Sequence, residues 1–268
     1  KFGTVVRLEV EKDIPAFMLE TLLENLQITE KEVQIIDGAL GLSDVMSLYD
    51  IPFHHLKEKA YHPMTNNEFD DESFFNIIKR KDVFFNHPYD SFAPVVDFIK
   101  AASKDPDVLA IKQTLYRVGS NSPVVKALIE AAERKKQVAV LVELKARFDE
   151  ENNIFWAKEL EKAGVHVVYG LVGLKTHCKM TLIVRKEIDG VQRYVHLGTG
   201  NYNPSTARIY TDIGLFTCDK DICADVTEVF NYLTGYSAQQ EFRKLFVAPI
   251  NIRPKLLKLI EREILNVN

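Results

Sequence analysis

The chain has 268 residues, of which 46% are apolar and 27% are charged, and its formal net charge is −4. This composition is ordinary for a globular protein, and the small negative charge argues against polyanion binding over the whole surface. No apolar run is long enough for a membrane-spanning helix and no secretory signal is recognisable, so a cytoplasmic location is expected. The three cysteines (Cys178, Cys218, Cys223) are odd in number and lack metal-type spacing, which argues against a disulfide framework and a structural zinc site.

The first part of the chain predicts a small α+β piece. Strands are expected at residues 5–10 and 33–36, with a helix opened by Pro15 and a short helix capped by Ser43. A loop containing His, Pro and Asn follows, and a domain boundary is predicted near Pro63. Because the chain starts inside the first strand pattern, it is expected to be a piece of a longer protein.

From residue 82 onward strands and helices alternate, which predicts an α/β fold class with a layered sheet and flanking helices. The predicted strands are 83–85, 108–116, 138–144, 165–169, 177–184, 192–197 and 209–217, and the predicted helices are 91–103, 122–135, 150–163, 222–233 and 254–265. The strands at 177–184 and 192–197 are expected to form a hairpin through the Asp189-Gly190 turn. The nearly continuous apolar run at 138–144 is typical of a parallel strand covered on both faces.

The most informative stretch lies between residues 173 and 210. His177 and Lys179 are two residues apart in a strand pattern, so their side chains are expected on the same face. The turn 198–201 (Gly-Thr-Gly-Asn) follows the next strand, where glycines let backbone N–H groups and the Asn201 side chain approach an anion. Residues 171–210 hold six positive and two negative side chains, a net charge of +4. An anion site is predicted, with a solvated basic face and a half-buried structural histidine as the alternatives.

Two arginines follow neighbouring parallel strands. Arg117 closes the strand 108–116 and Arg147 comes just after 138–144, so both are expected at the same edge of the sheet, where guanidinium groups bind phosphate. The alternative is that each is an ordinary loop arginine paired with a carboxylate such as Asp149. His196 competes with His177 for the role of nucleophile, but it lacks an adjacent cation and a supporting role is predicted for it.

These residues resemble known families. His177-x-Lys179 with Gly198-Thr199-Gly200-Asn201 resembles one half of the phospholipase D signature, with Val184 at its aspartate position. A closer resemblance, over essentially the whole chain, is to bacterial polyphosphate kinase of the histidine-phosphorylated type. Its motifs are RKDVFFNHPY (80–89), IKQTLYR (111–117), ELKARFD (143–149), Thr176-His177 and 207–212.

The resemblance implies three segments: part of a head domain (1–63), a first phospholipase D-like catalytic domain (64–243) and the start of a second (244–268). It implies that His177 is the phosphorylated histidine, that Tyr210 contacts the nucleotide, and that Arg117 and Arg147 are the positions assigned to Mg²⁺. A guanidinium has no lone pair to donate, so these arginines are expected to hold phosphate oxygens beside Mg²⁺. The other expected contributors are Lys179 and Asn201 as catalytic groups and Arg208 as a phosphate-binding group.

The implied substrates are ATP or ADP and inorganic polyphosphate, with the second catalytic domain of the same chain as a missing partner. A homo-oligomer is implied for the full-length protein, as is a location that is cytoplasmic or peripheral to the inner membrane, and no nucleic-acid partner is implied. Two alternatives stay open at this point: a phospholipase D-like phosphodiesterase or nuclease that completes its site as a dimer, and a non-catalytic anion-binding module.

Overall fold

A computed structural model describes residues 3–65, 69, 72–146, 149–171, 173–235 and 241–266. The contacts within the chain divide it into two units, Lys1–Tyr61 and His62–Asn268. The division lies close to the boundary expected at Pro63. The assignment of three domains to 1–63, 64–243 and 244–268 stays a prediction.

The first unit is built on a parallel pair of short strands. Strand β1 (Leu8–Glu11) and strand β2 (Val33–Ile36) pair directly, and helix α1 (Ala16–Leu26) connects them. The unit therefore contains one βαβ connection. The predicted strand at 5–10 begins later than expected. The helix expected from Ser43 is a 3-10 helix, Leu42–Asp50, which starts after Gly41 in the left-handed region with φ of 64°.

The second unit contains a seven-stranded sheet in the order β3-β9-β8-β7-β4-β5-β6. Its strands are β3 (Val83–His87), β4 (Val108–Leu115), β5 (Gln137–Val142), β6 (His166–Tyr169), β7 (Lys179–Glu187), β8 (Gly190–Gly198) and β9 (Asp212–Thr217). Strands β4, β5 and β6 are parallel, and β7 and β8 form the predicted antiparallel hairpin, in which Glu187 pairs with Gly190. The predicted α/β layered sheet with flanking helices is confirmed.

Helices cover both faces of this sheet. The helices of this unit are α2 (Phe74–Arg80), α3 (Ala93–Lys104), α4 (Pro123–Glu133), α5 (Glu150–Lys162), α6 (Lys220–Leu233) and α7 (Ile252–Leu265), of which α2 to α6 contribute to the cores. Helices α2 to α5 pack on one face against strand residues such as Ile111, Ile183 and Phe216, while α6 packs on the other face against Leu182 and Val195. Residues pointing to opposite sides of one strand therefore enter two separate hydrophobic cores.

The register of the strands gathers several strand ends in one row, which we call the site rim. Leu115 at the end of β4 pairs with Val142 at the end of β5, and Lys179 at the start of β7 pairs with Gly198 at the end of β8. Gly198 in turn pairs with Gly214 near the start of β9. The site rim therefore brings together segments that are far apart in sequence.

Two strand boundaries differ from the prediction and both affect the site. His177 precedes β7, which begins at Lys179. Tyr210 precedes β9, which begins at Asp212, and its backbone N–H donates to Thr206 O at 3.0 Å in an α-turn directly after the 3-10 helix Thr206–Arg208. Tyr210 is therefore a loop residue.

Candidate active site

One aromatic ring at the site rim is surrounded by basic side chains. The ring of Tyr116, at the end of β4, lies 5.2 Å from Lys175 Nζ and 5.2 Å from Lys179 Nζ, and 5.4 Å from Arg117 Cζ. The imidazole of His177 meets the same ring edge-on, with centroids 5.0 Å apart and an interplanar angle of 69°. We call these five residues the Tyr116 cluster. The negative face of the ring attracts the cations, which offsets part of their mutual repulsion.

Within the cluster, Lys179 lies over the imidazole of His177. Its Nζ atom is 2.9 Å from Nδ1 and 3.1 Å from Nε2, and 2.6 Å from the backbone oxygen of His177. The lone pair or N–H of each ring nitrogen lies in the ring plane and points outward from the ring. An Nζ atom in that plane, at 2.9 Å from one nitrogen and 3.1 Å from the other, would collide with the ring carbon between them. The ammonium therefore lies above the ring face, and Lys179 blocks the in-plane direction of neither nitrogen.

His177 is exposed, whereas Lys179 is buried, with 5% of its surface exposed. Partial desolvation lowers the pKa of His177 below its ordinary value, and the charges of Lys179, Lys175 and Arg117 lower it further. The imidazole is therefore neutral at pH 7. Burial also lowers the pKa of Lys179 to about 8, because the charged form loses water contacts.

A buried carboxylate holds the segment that leads into His177. Glu143, directly after β5 and 5% exposed, accepts hydrogen bonds from the backbone N–H of Thr176 at 2.8 Å and of Lys145 at 2.9 Å. On the other side, the Thr114 hydroxyl donates to Cys178 O at 2.9 Å and accepts from Met180 N at 2.9 Å. His177 is thus flanked by fixed backbone on both sides.

Arg117 has an unusual backbone conformation, with φ of 53° in the left-handed region. Its carbonyl accepts a hydrogen bond from Asn203 Nδ2 at 3.2 Å. Two residues further on, Gly119 donates its N–H to Asp149 Oδ2 at 3.0 Å, and Trp156 Nε1 donates to Gly119 O at 2.8 Å. Three side chains, one from the loop after β8 and two from helix α5 and its N-cap, therefore hold this loop.

The Gly-Thr-Gly-Asn turn contacts a carboxylate of the protein itself. A methyl group added at Gly200 would lie 2.5 Å from Asp212 Oδ2, and the Thr199 hydroxyl donates to Asp212 Oδ1 at 2.8 Å. Glycine is required at position 200 because the Asp212 carboxylate packs against it. The Oδ1 atom of Asn201 is buried without a hydrogen-bond partner, so this amide oxygen does not face the solvent beside the Tyr116 cluster.

His196 lies below the site rim and is closed to solvent. Its exposed fraction is 2%, and its Nδ1 atom is 2.8 Å from Tyr202 Oη. Complete burial lowers the pKa of His196 to about 3, with His87 adding to the effect, so this ring is neutral. It cannot compete with His177 for a substrate unless the fold opens.

Two further predicted residues, Tyr210 and Arg208, take no part in the contacts that define the Tyr116 cluster. Tyr210 is 60% exposed in the loop between β8 and β9, and Arg208, also exposed, lines a groove that includes Lys100 and His62. Arg147 lies outside the described residues. The structure therefore brings together His177, Lys179 and Arg117 of the predicted set.

Sequence reasoning missed Tyr116, Lys175, Glu143 and Asn203, although Tyr116 and Glu143 both stand at strand ends, where ligand-binding groups are to be expected. A cavity of about 500 Å³ also opens beside His177 and Lys179, lined mainly by apolar side chains including Leu171, Met180 and Phe246.

The described residues do not fit a direct metal centre. Among them, no group of three or more His, Cys, Asp or Glu side chains is placed to hold a metal ion. The Tyr116 cluster offers ammonium and guanidinium groups, which carry no lone pair for a metal. The residues present fit phosphate oxygens instead.

A neutral, accessible histidine beneath an ammonium, with two further cations on the same aromatic ring, defines an α/β protein with an anion-handling site at the rim of its sheet. Comparison with known proteins supplies the family. The sequence model described as polyphosphate kinase C-terminal domain 1 matches residues 73–239, and the model described as polyphosphate kinase middle domain matches residues 1–48. The chain belongs to the polyphosphate kinase family.

Individual relatives agree with this assignment. Polyphosphate kinase 1 of Chlorobaculum tepidum is 57% identical over 98% of this chain, and polyphosphate kinase of Prosthecochloris aestuarii is 55% identical over 98%. The crystal structure of polyphosphate kinase from Porphyromonas gingivalis matches 97% of this chain with a TM-score of 0.81 and 34% identity. The chain spans 38%, 37% and 40% of the lengths of these three proteins. No helix in the described ranges is long and apolar enough to cross a membrane.

Proposed function

We propose that this chain carries the phosphohistidine site of a polyphosphate kinase, at which the terminal phosphoryl group of ATP passes to His177 and then to the end of a polyphosphate chain. The observation that carries the proposal is the position of Lys179 Nζ over the face of His177, at 2.9 and 3.1 Å from its nitrogens. An ammonium at this place pairs with the oxygens of a phosphoryl group bonded to the ring and leaves the attacking lone pair open.

The reaction consists of two in-line displacements. In the first, the lone pair of the neutral imidazole forms an N–P bond while the bond between the terminal phosphorus and its bridging oxygen breaks, so that ADP leaves with the electron pair. In the second, a terminal oxygen of polyphosphate attacks the same phosphorus and the N–P bond breaks. Both steps move the phosphoryl group between a ring nitrogen and a phosphate oxygen, and each can run in either direction. The whole transfer is therefore reversible.

The cations of the Tyr116 cluster supply electrostatic stabilisation. Phosphoryl transfer depends mainly on positioning and on charge stabilisation at the phosphoryl oxygens. Lys179 is held over the His177 ring, and Lys175 and Arg117 lie close to the Tyr116 ring that Lys179 also contacts. Arg117 and Arg147 would hold phosphate oxygens, and a Mg²⁺ ion brought by the nucleotide would supply further charge neutralisation at those oxygens. Tyr210, Arg208 and Asn201 complete the proposed set.

The proposal assigns this chain one part of a larger site. Because the chain spans about two fifths of the relatives' length, the second catalytic domain is proposed as the partner that completes the site. We expect the 268-residue chain alone to show little or no polyphosphate synthesis, and full turnover by this chain would contradict that expectation.

Labelling with ATP that carries ³²P at its γ-phosphate tests the proposal, in this chain and in the full-length protein. The expected product is an acid-labile, base-stable label on the protein that is lost in His177→Ala. His166→Ala is the matched control, because His166 is an exposed histidine on β6, on the far side of β5 from the site, and should leave the label unchanged. A label that survives in His177→Ala would overturn the assignment of the nucleophile.

The same preparation separates the two rival functions. Cleavage of a phosphodiester substrate without protein labelling would support a phospholipase D-like hydrolase. Saturable binding of triphosphate by the full-length protein, with neither labelling nor cleavage, would support a non-catalytic anion-binding module.

A further inference from the structure

A small cavity lies behind the Gly-Thr-Gly-Asn turn, between β3, β8 and β9. Its lining includes His87, His196, Asn201, Asp212 and Gly214. The volume that the centre of a water molecule can occupy in it is about 10 Å³. A space of this size holds one water. The cavity is separate from the exposed ring of His177.

Three polar atoms of the lining have no hydrogen-bond partner among the described residues: His87 Nε2, His196 Nε2 and Asn201 Oδ1. Both histidines are closed to solvent, with 3% and 2% of their surfaces exposed. Leaving such groups unpaired in the interior is unfavourable, because they have lost their hydrogen bonds to water. Three at one cavity point to a molecule that satisfies them.

The proton positions on His196 follow from a chain of hydrogen bonds. Gln113 Oε1 can only accept, so the Thr181 hydroxyl, 2.7 Å away, donates to it. Thr181 then has no second proton for Tyr202, so the Tyr202 hydroxyl donates to Thr181 Oγ1 at 2.9 Å. Tyr202 in turn accepts from His196 Nδ1–H at 2.8 Å. The Nε2 atom of the neutral His196 ring therefore carries a lone pair.

His87 reaches the same state independently. Its Nδ1 atom is 2.8 Å from the backbone oxygen of Asp90, which can only accept, so Nδ1 carries a proton and, in the neutral ring, Nε2 carries a lone pair. A methyl group added at Gly214 would lie 2.9 Å from His196 Nε2 and 3.7 Å from His87 Nε2, so both lone pairs are close to one point. The cavity is thus lined by acceptors and needs a donor.

We propose that the cavity binds a single water molecule that donates one hydrogen bond to His87 Nε2 and one to His196 Nε2. The carboxamide of Asn201, with its oxygen and nitrogen exchanged about the terminal bond, donates to the water oxygen. Asp212 also lines the cavity, but its Oδ1 atom already accepts from Thr199. The water joins β3 to β8 through a continuous chain from Asp90 to Gln113.

The proposal makes His196 a positioning residue and not a nucleophile. Its Nδ1–H fixes the Tyr202 hydroxyl, which fixes Thr181, two residues after Lys179 on the same face of β7. The low pKa of His196, about 3, agrees with a ring that stays neutral and accepts at Nε2.

Nuclear magnetic resonance on the 268-residue chain with ¹⁵N-labelled histidine tests the proposal. Long-range proton–nitrogen spectra distinguish the two neutral tautomers, and His87→Gln and His196→Gln assign the signals. We expect both rings to carry the proton on Nδ1 and to show a cross-relaxation signal to a long-lived water. The exposed His166 is the internal control and should show no such signal.

The variant Gly214→Ala places a methyl group in the space of the water. The expected result is loss of the water signal with shifts of both Nε2 resonances. If the variant does not fold, the wild-type spectra still decide the question. Protonation of Nε2 on either ring, absence of the water signal, or crystallographic density with metal-like contacts of about 2.1 Å would overturn the proposal.

Discussion

The side-chain amide of Asn203 donates a hydrogen bond to the backbone carbonyl of Arg117 at 3.2 Å, linking the loop after β8 to the end of β4. The same side chain accepts at Oδ1 from the backbone N–H of Ser205 at 2.9 Å. One asparagine therefore shapes its own loop and holds the left-handed residue Arg117 beside the Tyr116 cluster.

The two roles of Asn203 can be separated by Asn203→Asp, which keeps the acceptor for Ser205 and removes the donor to Arg117. We expect tripolyphosphate binding to weaken by about fivefold, the effect of losing one hydrogen bond of ~1 kcal/mol. Isothermal titration calorimetry measures the affinity. Ser205→Asp, which adds the same charge at an exposed neighbouring position, controls for electrostatic repulsion and should have the smaller effect. Equal effects of the two variants would contradict a role for the Asn203–Arg117 bond.

The aromatic ring of Tyr116 should matter more than its hydroxyl. Tyr116→Phe keeps the ring face that meets Lys175, Lys179 and Arg117. Tyr116→Leu removes this face, and we expect tripolyphosphate affinity to fall by on the order of tenfold, because cation–π contacts contribute about 0.5–2 kcal/mol each. Similar affinities for the Phe and Leu variants would show that the ring face does not organise the cations.

Anion binding should weaken above pH 8. Lys179 has a pKa of about 8 in the free protein, so its charge is present below that pH and is lost as the pH rises through it. Between pH 7 and pH 9 we expect tripolyphosphate affinity to fall by up to about tenfold, offset in part because the bound anion raises the pKa of Lys179. In Lys179→Arg the charge persists, and this pH dependence should disappear. If the tripolyphosphate affinity of that variant still falls at alkaline pH, the pH dependence belongs to another group.

The decline of His177 phosphorylation at low pH should be governed by protonation of His177 itself. Its pKa is lowered by desolvation and by the three cations, so the ring stays neutral below its ordinary value of about 6.5. Phosphorylation of His177 should therefore decline only below the pH at which an ordinary histidine takes up its proton. Quench-flow labelling at a series of pH values measures this pH dependence, and a decline centred above pH 6.5 would contradict it.

Glu143 should be needed for the position of His177 as well as for stability. Its two carboxylate oxygens each accept one backbone hydrogen bond, from Thr176 and Lys145. In Glu143→Gln one of these N–H groups faces an amide NH₂, and we expect a loss of about 1–3 kcal/mol in the free energy of unfolding. Labelling of His177 should slow even at temperatures where the variant is fully folded. Glu151→Gln, at an exposed position of α5, is the control and should change neither quantity.

Burial of His196 should make the protein sensitive to acid. The folded-state pKa of about 3 lies below the unfolded value of about 6.5, so unfolding takes up roughly one proton between these values and stability is lost as the pH falls through this window. The groups facing the ring are His87, Tyr202 and Asp212. Denaturant unfolding in His196→Gln, which removes the titrating ring, should show a shallower slope of stability against pH. An unchanged slope would assign the acid sensitivity elsewhere.

Much of the second unit could be predicted from local sequence because its elements carry clear periodicity and end signals. The hydroxyl of Ser122 accepts from Val125 N at the start of α4, and Gly164, with φ of 82°, follows α5, as expected. The neighbourhood of His177 and Lys179 followed from their spacing, and the position of Arg117 after the end of β4 followed from the strand pattern that precedes it. These features depend on short-range geometry.

The other site features depend on contacts between distant segments, which spacing does not reveal. In the sequence Tyr116 is the last residue of an apolar strand, and only the folded sheet shows that cations from residues 175–179 reach its ring. The pattern around Gly200 predicts a place for an external anion, whereas the structure shows the carboxylate of Asp212 against it. The sequence signal that could have identified Glu143 is a carboxylate directly after a buried strand.

The β7–β8 hairpin turns at Ile188 and Asp189, at the opposite end of these strands from the Tyr116 cluster, and Ile188 is fully exposed. Because His177, Lys179 and Arg117 all lie at the other end, this turn is a suitable place to attach a fluorophore or to relocate the chain termini by circular permutation. A reporter fused at this turn would follow anion binding at the Tyr116 cluster without contacting its residues.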